Sequence, residues 1–245
     1  MIIGIVSGKG GVGKTTLSIN IGMALSKLGK NVSVIDGDIK NPNLGLYLGL
    51  YGLKYTINDF IRGEEQDGYD YHGMKIFPSS LSLDESTSVS KIRKVVESLE
   101  GYIIIDFPPG LNRDIAHLMD VCHKYIVITN PNMVCLASTM RLSHILKGTD
   151  KDVMGIIVNR TGKKHDVERD EIEAAITDNI MGHIPEDDNI TMSMNSHKPV
   201  LEYNPYAPSS IEIMDITSKM IGLEYKRPSG FIKIRNFLSQ LRVKK

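Results

Sequence analysis

The stretch Gly8-Lys9-Gly10-Gly11-Val12-Gly13-Lys14-Thr15-Thr16 follows directly on the apolar run Ile2-Ile3-Gly4-Ile5-Val6. It satisfies the pattern G-x-x-x-x-G-K-[ST], and a helical pattern opens at Lys14. Glycines at these positions let the backbone curl inward with positive φ and no Cβ clash. The N–H groups of such a loop wrap phosphate, the lysine reaches the terminal phosphates, and the hydroxyl of Thr15 is offered to Mg²⁺. A match placed between a β-type run and a helix is far more specific than the bare pattern, so nucleotide binding is expected. A second lysine, Lys9, stands beside the first glycine.

Working outward, other apolar β-rich runs lie at Val32–Ile35, Lys75–Phe77, Tyr102–Ile105, Tyr125–Thr129 and Val153–Val158, with a shorter one at Ile180–Ile184. Helical patterns fill the gaps at Lys14–Leu28, Ile57–Arg62, Val89–Leu99, Ile115–Val121, Val134–Leu146, Val167–Asn179 and Ser209–Ile221. Strands that are apolar without alternation, separated by helices, predict a mostly parallel sheet of about seven to eight strands covered on both faces. Ligands then bind at the carboxyl ends of the strands. The phosphate loop, Asp36–Asp38, Asp106–Gly110, Thr129–Pro131 and Asn159–Arg160 each follow a strand and are expected to line one crevice.

The chain has 245 residues, enough for one α/β domain that folds without staples. Its 29 basic and 29 acidic side chains cancel, so there is no global lean toward nucleic acid or membrane. Residues 226–245 nonetheless hold seven basic side chains and no acidic one, leaving a mildly acidic body and a basic tail. Cys122 and Cys135 form no C-x-x-C spacing and sit in apolar contexts, as buried reduced thiols do. The chain begins on a strand, with no room for a signal peptide, and no run approaches the length of a transmembrane helix. A cytoplasmic protein that visits a surface is the expectation.

Two acidic motifs add to the loop. Val34-Ile35-Asp36-Gly37-Asp38 ends the second strand with carboxylates two residues apart, which on an extended chain point the same way and can hold Mg²⁺-bound water. Two acids that merely cap a strand are the plainer alternative. Ile103-Ile104-Ile105-Asp106 is an apolar strand ending in aspartate, a weak signal alone that its continuation Phe107-Pro108-Pro109-Gly110 sharpens. An ordinary proline-rich turn competes with that reading. His123, His144, His165, His183 and His197 lack metal-ligand spacing and read as structural or surface residues.

With its extra lysine, the loop K-G-G-V-G-K-T-T resembles that of the deviant Walker A ATPases, the family of MinD, ParA, the Mrp-type iron–sulfur carriers and the nitrogenase iron protein. The resemblance covers nearly the whole chain and implies a three-layer α/β/α P-loop NTPase fold that binds ATP or ADP with Mg²⁺. It implies an ATP-dependent homodimer in which Lys9 of one subunit contacts phosphate bound by the other. Lys14 then holds the β- and γ-phosphates, Thr15 the Mg²⁺, and Thr16 reaches the α-phosphate. Asp38 corresponds to the first switch and positions or activates water. Asp106 acts on Mg²⁺ through water. Asp106-Phe107-Pro108-Pro109-Gly110 resembles the second switch, in which the Gly110 N–H senses the γ-phosphate. Asn159-Arg160 and Ile184-Pro185-Glu186-Asp187 resemble the adenine-contacting segments, and the Asn side chain offers a base edge both donor and acceptor.

Within the family, Asn43–Gly49, Thr129–Pro131 and Lys198–Val200 look like the MinD branch. Pro109 departs from it, standing where MinD proteins usually have alanine and Mrp-type carriers often a second proline. Iron–sulfur carriage needs soft thiolates in close spacing, which Cys122 and Cys135 do not supply.

The tail carries the remaining signal. Lys226-Arg227-Pro228-Ser229-Gly230 reads as a hinge after a domain at 1–225, and 231–245 as a basic amphipathic helix. Phe231, Ile234, Leu238 and Leu241 share one side with Phe237 beside them, while Lys233, Arg235, Gln240 and Arg242 fall toward the other. A helix docked on the domain's own core is the plain alternative. The hinge and the all-basic charge favour reversible binding to an anionic membrane surface. Together these imply a switch that dimerises on ATP, binds membrane through paired tails, and positions division or other polar or surface machinery through a protein partner or activator. A ParA-like DNA-partitioning factor is the second reading, although phosphate contact needs no stripe of Phe, Ile and Leu. A metal-cofactor maturation ATPase is the third.

Overall fold

In the computed structural model the residues described are 1–51, 55–62, 67–79, 89–110 and 118–229. Eight strands form one sheet: β1 (Ile2–Val6), β2 (Val32–Asp36), β3 (Tyr69–Tyr71), β4 (Met74–Phe77), β5 (Tyr102–Asp106), β6 (Lys124–Thr129), β7 (Val153–Thr161) and β8 (Ile180–Pro185). Their order is β3-β4-β2-β5-β1-β6-β7-β8, parallel throughout except for the β3–β4 hairpin at one edge. The helices described are α1 (Lys14–Lys27), α2 (Leu44–Tyr47), α3 (Ile57–Arg62), α4 (Val89–Ser98), α5 (Met133–Gly148), α6 (Arg169–Ala175), α7 (Asp188–Asn195), α8 (Val200–Tyr203) and α9 (Pro208–Met220).

The continuous apolar runs make sense once both faces are seen to be covered. On β5, Ile104 packs into one core with Leu17, Leu25, Leu201 and Ile213 from α1, α8 and α9. Its neighbours Ile103 and Ile105 face a second core with Phe60, Ile92, Leu136 and Ile172 from α3, α4, α5 and α6. The α1 helix lies close to the sheet because Gly22 has no side chain: a Cβ there would stand 2.6 Å from the Met74 sulfur and 2.7 Å from Val34 Cγ2. The phosphate loop is therefore carried by a helix packed close on the sheet.

The expected architecture stands, with local differences. The edge strand β3 has no counterpart in the apolar runs, because Tyr69-Asp70-Tyr71 is short and partly exposed. The α2, α7 and α8 helices are new, and the helix expected at Val167–Asn179 shortens to Arg169–Ala175. Of the helix expected at Ile115–Val121, residues 115–117 lie outside the described residues. β7 runs on to Thr161, so Asn159 and Arg160 belong to the strand rather than follow it. A register shift between Asn159 and Thr161 accommodates Arg160, whose φ is 60°.

Candidate functional site

β1 delivers the chain at Val6 into a loop that ends at Gly13, the residue before the first turn of α1. Gly11 and Gly13 have φ of 77° and 99°. No side chain caps α1 and its first turn holds no acid, so its N–H groups and positive dipole end face the crevice. The loop is fastened from several sides. Asn159 Nδ2 donates to the Val12 carbonyl at 2.8 Å. The Asn130 amide, oriented with its nitrogen toward these acceptors, lies 3.2 Å from the same oxygen and 3.2 Å from the Asn159 carbonyl. Gly8 sits against α5, where a Cβ would stand 2.6 Å from the Ser138 carbonyl oxygen. Ser7 Oγ donates to the Lys9 carbonyl at 2.7 Å.

The crevice above this loop encloses about 590 Å³. Gly10, Gly11, Gly13, Lys14, Thr15, Thr16, Asp38, Phe107, Pro109 and Arg160 line it, from four of the five expected segments, and Asn43, Tyr47 and His197 join them; no residue of Thr129–Pro131 is part of the lining. Lys14 is buried, which lowers its pKa, while the carboxylates of Asp106 and Asp38 pull the other way. Lys9 differs from Lys14: it is exposed and lies outside the lining.

The carboxylates divide the work. Thr15 Oγ1 donates to Asp106 Oδ2 at 2.6 Å and Ser18 Oγ to Oδ1 at 2.9 Å. Burial raises the Asp106 pKa to about 6 against the opposing effects of Thr15, Lys14 and Ser18. A hydroxyl beside a carboxylate, both at the foot of a phosphate-binding loop, is a hard oxygen donor set that suits Mg²⁺. Thr15 and Asp106 would hold the ion, which would neutralise phosphate charge there. Asp36 and Asp38 do not point the same way, contrary to the extended-chain reading. The strand ends at Asp36, and the Gly37 N–H on the Asp106 carbonyl at 2.9 Å is the last bond of its ladder with β5. Asp36 is 1% exposed and accepts from the N–H groups of Asp38, Asn43 and Leu44, each at 3.2 Å. Burial and then the Asp106 charge push its pKa well up, against the N–H bonds of Leu44 and Asp38. Asp38 alone of the two faces the crevice. Its pKa is raised by burial and held back by the Asn41 N–H, Lys14 and Lys40.

The second-switch stretch meets the loop directly, since Gly110 donates its N–H to the Ser7 carbonyl at 2.9 Å with φ at 75°. Pro109 lines the crevice; Pro108 is not part of the lining. Asn159 is 2% exposed and lies outside the lining, beneath the loop it bonds, with its Oδ1 buried and without a partner among the described residues. Pro185, Glu186 and Asp187 fall outside the lining. Glu186 pairs with Lys163 at 3.2 Å. Asp187 caps α7 through the Asn189 N–H at 2.9 Å and holds Ser209 at the start of α9 at 2.7 Å. Burial would raise its pKa, but the Asn189 and Ser209 bonds outweigh it and hold the carboxyl below the usual range.

Residues 3–200 match the CobQ/CobB/MinD/ParA nucleotide binding domain family. The chain belongs to this MinD/ParA family. An uncharacterized ATP-binding protein of Methanocaldococcus jannaschii is 34% identical over 233 residues, covering 91% of this chain and 89% of that protein. The MinD/ParA fold is shared closely with the septum site-determining protein MinD of Pyrococcus horikoshii OT3, complexed with Mg-ADP. That structure has a TM-score of 0.83 and 28% identity, covering 90% of this chain and 96% of the other. A chain of the MinC:MinD cell division protein complex of Aquifex aeolicus gives a TM-score of 0.80 at 28% identity, covering 93% of this chain and 98% of that one. The chain is thus a P-loop ATP-binding domain of the MinD/ParA family, and the crevice lies at its phosphate-type loop.

Some details of this crevice escaped the sequence reading. Ser18 lies three residues after Thr15 on the same face of α1, a spacing that could have found it. Asn130 belongs to the Thr129–Pro131 turn expected at the crevice, but its approach to the Val12 carbonyl is not foreseen there, and His197 reads only as structural or surface. His197 sits with φ at 54°, its Nε2 3.0 Å from the Tyr51 hydroxyl. Among the described residues no group of three or more His, Cys, Asp or Glu could hold a metal ion, and Cys122 and Cys135 are free. Burial pushes the Cys122 thiol up to about 12, as for an inert buried thiol. Arg227, in the expected hinge, donates to Glu212 at 2.6 and 2.9 Å and to Asp215 at 2.7 Å, so the second residue of the hinge is fastened to α9. The expected membrane residues Phe231, Lys233, Ile234, Arg235, Phe237, Leu238, Leu241 and Arg242 lie outside the described residues. No helix among the described residues is long and apolar enough to cross a membrane.

Proposed function

We propose that this protein is a Mg²⁺-dependent ATPase switch of the MinD type. ATP bound in the crevice brings two copies together, and hydrolysis separates them. The observation that carries this reading is the contrast between the two loop lysines: Lys14 is buried in its own site, while Lys9 is exposed outside it, where a second copy's phosphates can be met. Asp38, at the crevice wall, orients the water that attacks the γ-phosphate, and Lys14 and the metal take up the developing charge. Each copy contributes one basic amphipathic tail at 231–245. One such short segment binds an anionic surface weakly, and two held together exceed it by orders of magnitude without any new contact. The output is a location, passed to a protein partner as MinC is bound in the Aquifex aeolicus complex.

The test is sedimentation with anionic liposomes in ATP, in ADP and without nucleotide, comparing the full chain with one ending at Ser229. The truncation keeps the Arg227 clamp and removes only the tail. Expected is ATP-dependent sedimentation of the full chain alone. Equal sedimentation of both chains overturns the membrane reading. A duplex DNA arm in the same buffers decides the rival: a shift on DNA but not on lipid makes partitioning the function.

A further inference from the structure

We infer that Asp36 is a positioning residue for hydrolysis, folding the 38–44 loop from beneath so that Asp38 is set against the phosphate loop. The inference rests on the reading of Asp38 as the group that orients the attacking water. Asp36 is enclosed at the end of β2, beside Asp106 in the register of β5. A buried carboxylate in contact with neither solvent nor crevice has to be satisfied by donors, and among the described residues its donors are the backbone N–H groups of one loop. Oδ1 takes the N–H of Asp38, where the loop starts. Oδ2 takes those of Asn43 and Leu44, where it ends. One side chain therefore closes both ends of a seven-residue excursion.

The second of these grips also does the work of a helix cap. Asn43 is the cap residue of α2, and its own side chain makes no capping bond. The Asp36 carboxylate supplies the acceptor and the negative charge from the strand below. Within the loop, Asp38 Oδ1 accepts the Asn41 N–H at 3.1 Å, so its direction follows the loop backbone. The base of the assembly is itself pinned, by the Ser79 hydroxyl on the Asp36 carbonyl at 2.8 Å and by Gly37 on Asp106. An isosteric Asn at 36 can keep an acceptor for one end of the loop and not for both.

The experiment is a double-mutant cycle on the full chain with Asp36→Asn and Asp38→Asn, reading phosphate release at saturating ATP, ADP affinity, and amide hydrogen exchange at residues 38, 43 and 44. Expected is a loss of about tenfold in turnover for Asp36→Asn, ADP affinity within about twofold, and less than about twofold further loss in the Asp38→Asn background, since residues acting as a unit are not additive. Exchange at the three amides should quicken. Equal loss in both backgrounds, or unchanged protection at those amides, overturns the inference. Wild-type turnover in Asp38→Asn alone overturns the reading of Asp38 and the inference with it. Should the cycle be blurred by instability of Asp36→Asn, the exchange of its folded fraction, read against the global opening rate, still decides whether the loop depends on this carboxylate.

Discussion

Replacing Gly13 with alanine tests how the phosphate loop is built. Two costs can be read from the geometry. The residue sits at φ 99°, and for an L-residue the left-handed region costs roughly 1–2 kcal/mol. The new Cβ would also stand 2.4 Å from Asn159 Nδ2, which is committed to the Val12 carbonyl. Moving that amide forfeits a buried hydrogen bond worth about 1 kcal/mol. Together the native loop is disfavoured by roughly 2–3 kcal/mol, which is about 30- to 150-fold if expressed wholly as affinity. A loop that holds its shape without nucleotide shows the loss as stability, softened by about 0.4–1 kcal/mol because alanine also restricts the unfolded chain. A loop that relaxes shows it as weaker ADP binding. Denaturant unfolding with and without saturating ADP, alongside calorimetric titration of ADP, captures both, because ligand-bound stability contains the two terms. Adding Asn159→Ala should recover part of the loss, as the obstacle goes with the side chain. Wild-type stability together with wild-type ADP affinity in Gly13→Ala would refute the claim that the positive φ and the Asn159 contact shape the loop.

Three further outcomes are expected. Asp38→Ala should lower turnover at saturating ATP by more than about tenfold while ADP affinity stays within about threefold, measured by phosphate release and titration; unchanged turnover removes Asp38 from the mechanism. Arg227→Ala breaks a pair whose arginine is 50% exposed, so solvent screening limits the loss to under about 1 kcal/mol, with ATP turnover unchanged in the same preparation. Asp187 has a depressed pKa in the folded state, so its contribution is present above the ordinary carboxylate value and lost as pH falls through the lower folded value. Asp187→Asn should therefore flatten the acid limb of the stability profile below about pH 4, and an unchanged slope in denaturation series from pH 5 to 2 counts against that assignment.

The sheet and the phosphate loop were legible because their signals are local. Apolar runs such as Ile103–Ile105 can only be strands enclosed on both sides, and the glycine and lysine spacing from Gly8 to Lys14 sits within one turn of chain. The β3 strand and the short helices α2 and α8 were not, since three or four residues carry no period and their stability comes from packing. The different fates of Asp36 and Asp38 were hidden for another reason. They depend on the chain leaving the strand at Gly37 and on the Asn43 and Leu44 N–H groups returning to Asp36, and neither event is written in the spacing of two aspartates. Asn130 and Asn159 likewise meet Val12 only because β6 and β7 lie next to one another on the same side of β1. Asp187 shows the reverse case: a residue in a family-like segment whose carboxylate is occupied by Asn189 and Ser209.

The bond between the Gly110 N–H and the Ser7 carbonyl has an energetic consequence for telling ATP from ADP. A third phosphate that is to take this donor has first to dislodge a backbone oxygen already seated on it, at a cost of about 1 kcal/mol for the bond given up. ADP, which ends one phosphate short, leaves the bond alone. If the last phosphate takes this donor, part of its attraction to the protein would go into displacement of the Pro108-Pro109-Gly110 turn rather than tighter holding. The two nucleotides should then differ less in how strongly they bind than in the shape they leave behind.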